Sequence, residues 1–137
     1  MTINGVVQRK FALLDKHLLE LQKHLEGVEA GEFKNNWVLR CMSERSLQVM
    51  TEIVIDIAER ILALRGAGPA ATACEALEKL VRLGAVQSAD PYIPLVRFRN
   101  LIVHRYEEID PEIVYNIAKN KLDLFRQFRH EVDRYEI

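Results

Sequence analysis

Cysteine is scarce in this chain of 137 residues: Cys41 and Cys74 are the only two, and neither sits in a C-x-x-C pair or beside a histidine cluster. A disulfide-built fold and a cysteine-rich zinc module are excluded, and two reduced thiols on or near helical core faces are expected instead. Six glycines and four prolines, with no Ser-rich or repetitive stretch, indicate no linker or disordered tail. No run approaches the eighteen or so apolar residues of a membrane span, and the N-terminus lacks the pattern of a signal peptide, so a cytoplasmic location is expected. Charge of one sign is missing too. Nineteen Lys and Arg face twenty Asp and Glu, a net charge of −1. A general polyanion binder draws its affinity from excess Lys and Arg, so that class is disfavoured, although a local basic cleft is not.

What is present is helical periodicity. Apolar residues make up 49% and charged residues 28%, enough for one domain over 1–137 with a core of its own. Val7, Phe11, Leu14, Leu18, Leu21 and Leu25 alternate four and three residues apart, one stripe of a long first helix. Gly27 and Gly31 are the expected stop and turn positions, and Asn35 or Asn36 the cap of a second helix. That helix is expected from about Trp37 to about Leu64, ended by Arg65-Gly66-Ala67-Gly68-Pro69. A shorter third covers roughly Ala71 to Leu83. A fourth is expected to start with Asp90 as cap and Pro91 at its first position, and a last one to run from Asp110-Pro111-Glu112 unbroken through Val132. No alternating strand pattern occurs. The fold expected is an all-α antiparallel up-and-down four-helix bundle with one additional short helix.

The polar groups with chemical use are concentrated at the end of the fourth helix, in Arg97-Phe98-Arg99-Asn100-Leu101-Ile102-Val103-His104-Arg105-Tyr106. At about 100° per residue, Asn100 and His104 are neighbours one turn apart, and Arg97 and His104 fall within roughly 20° of each other. Arg99 is turned roughly 140° from His104 on a regular helix, a span that a long side chain can bridge if the helix frays. Arg, His and Tyr at a helix end most often serve structure, as an ion pair, a charge suited to the helix dipole and an interface phenol.

Arg99, His104 and Tyr106 form an R-x4-H-x-Y pattern, with Asn100 directly after the arginine. The pattern resembles that of HepT-like toxins (the DUF86 family), HEPN-superfamily helical ribonucleases encoded beside a minimal nucleotidyltransferase antitoxin of MntA type. The resemblance selects Arg99 rather than Arg97, which fits the wider superfamily spacing, and implies that Arg99 and His104 are catalytic, with Asn100 and Arg97 in support. Imidazole titrates near neutrality and can move protons, while guanidinium offers a charged planar fork to a phosphorane. One copy supplies one such histidine. The resemblance accordingly implies a homodimer with a shared cleft, and an endoribonuclease that needs neither a metal nor another cofactor. It further implies that Tyr106 accepts AMP from the antitoxin, which neutralises the toxin in a type VII-like pair. Bulky anionic nucleotides there would block the cleft and repel RNA.

A rival expectation is a non-catalytic helical binding module, a regulatory or substrate-presenting partner of a nucleotidyltransferase. The near-neutral charge and the acids Glu107, Glu108 and Asp110 favour it. Outside the motif, His17, His24 and His130 are expected at the surface, and Trp37 in the core or at a dimer contact. Glu52 and Asp56, one turn apart, could face the motif arginines but read as a solvated edge without a catalytic role.

Overall fold

The stripe from Val7 to Leu25 forms one face of α1 (Gly5–Leu25), and all six of its apolar residues are buried. The computed structural model describes residues 5–102 and 109–135. After α1 come α2 (Ala30–Lys34), α3 (Trp37–Leu64), α4 (Ala73–Leu83), α5 (Ile93–Ile102), α6 (Pro111–Asn120) and α7 (Leu122–Arg134). Among the described residues every regular element is helical, in the antiparallel bundle expected. No helix among them is long and apolar enough to cross a membrane.

The bundle is built on α3, which packs against every other helix. Its 28 residues contain neither glycine nor proline, so about 42 Å of helix forms without interruption. From Ser46 onward it buries residues around most of its circumference, including Met50, Thr51, Val54, Ile55, Ile57 and Ile61. A helix enclosed by neighbours shows that distribution, whereas a surface helix buries a stripe. Asn36 caps α3, its side-chain oxygen accepting from the Leu39 amide at 3.0 Å. At the other end Gly66 takes a left-handed φ of 66°, a conformation that costs glycine little.

Five sequence expectations are corrected. Gly31 lies inside the short helix α2, and Gly27 alone makes the turn, at φ 73°. Asp90 does not cap the fourth helix. It opens a 3₁₀ turn, Asp90–Tyr92, and its amide donates to Ser88 Oγ at 3.2 Å. The last helix is two helices, broken at Lys121, whose N–H still bonds Ile117 while its φ of −119° departs from helix. The apolar period runs in phase through that position, from Val114 and Ile117 to Leu122 and Phe125, which is why the sequence hides the break. Trp37 is 67% exposed and so not part of this chain's core, and Cys41 is exposed rather than on a core face.

The approach to α5 is pinned from the C-terminal side. Tyr92 is fully buried, its ring packing edge-on against Phe128 at 5.3 Å between centroids. Its hydroxyl donates to Glu131, and the same carboxylate accepts the Gln87 amide at 2.9 Å. Burial first, then the bond to Glu131 and its charge, hold the phenol far above its usual titration range. Tyr92 is thus a permanent donor that ties the start of α5 to α7.

Candidate active site at the end of α5

Apolar α5 residues Leu95, Val96, Phe98 and Ile102 face inward, which turns the polar residues between them outward on two sides of the helix. Arg99 lies on the α3 side. Its Nη1 is 3.8 Å from Glu52 Oε1, and its Nε donates to Asn100 Oδ1 at 3.2 Å. The Arg99 side chain retains 26% exposure and Glu52 43%, so the pair sits at a solvent-reached edge. No other polar partner of Arg99 occurs among the described residues, and its Nη2 has none there. Asn100 is exposed.

Arg97 takes the other side. It is exposed and lines a groove of about 420 Å³ between α5 and α6, with Leu101, Ile113, Asn116 and Lys121. The two candidate arginines are therefore separated by the body of their own helix. The structure brings Arg99 and Asn100 together and leaves Arg97 apart from them. His104, Arg105 and Tyr106 lie outside the described residues, as do Glu107 and Glu108. The chain is described again at Ile109, and Asp110 caps α6 by accepting the Glu112 amide at 2.9 Å.

The Glu52–Asp56 pair divides its attention. Asp56 Oδ2 meets Lys10 Nζ at 3.4 Å, while Glu52 turns to Arg99. The helical spacing had allowed that Glu52 faces a motif arginine, but reading the pair as solvated passed over the contact. His17 was likewise missed. It is partly buried, with Nδ1 2.7 Å from Ser46 Oγ, a bond between α1 and α3 that spacing along one helix cannot reveal. Burial, with Lys16 and Arg45 nearby, lowers its pKa below the ordinary 6.5. Among the described residues no group of three His, Cys, Asp or Glu is placed to hold a metal ion.

The fold belongs to a known class. Superposition on a toxin–antitoxin crystal structure with AMP-PNP gives a TM-score of 0.86 at 22% identity, covering 96% of this chain and all of that one. A tri-AMPylated Shewanella oneidensis HEPN toxin, solved in complex with its MNT antitoxin, gives 0.83 at 23% identity, covering 97% and 100%. The architecture is that of HEPN toxins. Within that class, residues 14–132 match the model of the family described as Ribonuclease HepT-like, and the chain belongs to this family of RNA-cutting enzymes. It is 26% identical over 137 residues to the tRNA nuclease HepT of Aphanizomenon flos-aquae (strain 2012/KM1/D3), covering 96% of this chain and 90% of that protein. It is 25% identical over 128 residues to the mRNA nuclease HepT of Shewanella oneidensis, covering 92% and 95%.

Proposed function

We propose that this chain, as one helical domain, is the toxin of a toxin–antitoxin pair and cleaves RNA without a metal at a site shared by two copies. Arg99 stabilises the charged phosphorane, His104 transfers protons and Asn100 keeps the arginine side chain in place. Arg97 meets the RNA backbone further along, on the groove side of α5. A nucleotidyltransferase antitoxin silences the toxin by placing AMP on Tyr106. Two HepT relatives named as nucleases and two structural neighbours solved with antitoxins support this reading.

The observation that carries it is the incomplete coordination of Arg99. Its nearest acid among the described residues stands at 3.8 Å, and one nitrogen has no partner there. A guanidinium engaged at two of its three nitrogens, at a partly exposed edge, has donors available for a phosphate.

Purified protein incubated with RNA in excess EDTA tests the proposal. Cleavage leaving a 5′-hydroxyl and a 2′,3′-cyclic phosphate or 3′-phosphate is expected. His104→Ala and Arg99→Ala should each abolish it while the dimer persists in light scattering. Full cleavage by either variant would overturn the site assignment. Co-expression with the nucleotidyltransferase should add AMP at Tyr106, read by mass spectrometry, and Tyr106→Phe should escape silencing.

A further inference from the structure

The acid facing Arg99 comes from α3, the helix that every other helix packs against. Glu52 sits in the middle of α3, between the buried residues Thr51 and Ile53. Its backbone is fixed by the packing of the whole bundle, and only its side chain reaches the edge where α5 ends. Asp56, the acid one turn further along, is engaged by Lys10 and does not share the task. The Arg99 guanidinium is thereby held at two of its three nitrogens, Nη1 by Glu52 from α3 and Nε by Asn100 from its own helix. The third nitrogen, Nη2, belongs to both donor forks of the group.

From this arrangement we infer that Glu52 is a positioning residue for the ribonuclease reaction: it braces the Arg99 guanidinium so that its remaining donors meet the scissile phosphate. The inference rests on Arg99 acting at that phosphate. An arginine on the last turn of a short helix has several rotamers. Ordering it before RNA arrives removes an entropic cost that would otherwise fall on the transition state. A partly exposed ion pair at 3.8 Å adds little to stability, so this contact is poorly explained as a fold-holding device. The carboxylate acts through Arg99 and touches no reacting atom.

The test compares Glu52→Ala, Glu52→Gln, Arg99→Ala and Asp56→Asn in RNA cleavage, with a thermal melt of each. Glu52→Ala should lower kcat about ten- to a hundredfold, with KM changed less than about twofold and the melting temperature little altered. Glu52→Gln keeps a polar oxygen facing Nη1 and should recover part of that loss. Asp56→Asn should cleave as the unaltered protein does. Wild-type activity in Glu52→Ala beside an inactive Arg99→Ala would overturn the brace while leaving Arg99 in its role. Activity rising in Glu52→Ala would overturn it as well, since the acid would then be restraining Arg99. Full activity in Arg99→Ala would instead remove the catalytic reading of Arg99, and the brace with it.

Discussion

Two arginines in this molecule show opposite uses of the same side chain. Arg129 on α7 is closely held by several partners. It pairs with Asp15 of α1, donates to Asp133 at 3.2 Å and to the Phe11 carbonyl at 3.2 Å, and lies 5.1 Å from the centre of the Phe11 ring. Its Nη1 contacts and its place over the Phe11 ring join α7 to α1, while Nε bonds within α7. Arg99 has one acid at 3.8 Å and one neighbouring carboxamide. Formal charge is equal at the two sites, so the distinction lies in how many partners among the described residues each guanidinium has and how close they stand. Many close partners make a guanidinium a fastener of helices, and few leave its donors accessible to a ligand.

The contrast is broken most sharply by removing each arginine in turn. Arg99→Ala should abolish detectable cleavage, a loss of at least about a hundred- to a thousandfold as expected for a transition-state donor, with the urea midpoint nearly unmoved. Arg129→Ala should do the reverse. Losing its charged hydrogen bonds should cost about 1–3 kcal/mol in urea unfolding, with cleavage per folded molecule unchanged. If Arg129→Ala instead lost activity at full stability, the division of labour would be wrong.

Smaller effects sharpen the same division between fastening and function. Asn36→Ala removes the cap of the central helix and should cost about 1 kcal/mol without altering the cleavage products. The smallest expected effect belongs to His17, whose folded-state pKa lies below its unfolded value near 6.5. Falling pH protonates the unfolded state first, so stability declines as pH drops below about 6.5 and is unaffected above it. His17→Gln keeps a partner for Ser46 but cannot titrate. Its urea midpoint should therefore fall less between pH 7.5 and 5.5 than that of the unaltered protein.

Much of the bundle was legible because helix stripes and helix ends carry local signals. The buried face of α1 and both ends of α3 follow from apolar spacing, Asn36 and the glycines after Leu64. The break at Lys121 was not legible, since no glycine or proline marks it and the apolar period passes through in phase. Asp90 opens a 3₁₀ turn and gives its own amide to Ser88, a local geometry that spacing does not reveal. Within the site, the motif directed attention to Arg99 and Asn100, which the fold brings into contact. The partner of Arg99 comes from a helix some forty-seven residues earlier in the chain, and such pairings depend on packing rather than on local pattern.

The hydrogen bonds at the far end of α1 carry a consequence for how the chain is made. The Leu25 carbonyl accepts from Lys119 Nζ at 2.6 Å, and the Val28 carbonyl accepts from the Tyr115 hydroxyl, also at 2.6 Å. Both donors are supplied some ninety residues later, by α6. During synthesis α1, α2 and α3 emerge from the ribosome well before α6 exists, with the corner between α1 and α2 unlatched and the sides of α3 that α6 and α7 will cover still bare. The corner closes only after residues on both sides of the Arg99 segment have been translated. A nascent chain that stalls short of α6 lacks both donors, so the corner between α1 and α2 stays unlatched and those sides of α3 stay bare.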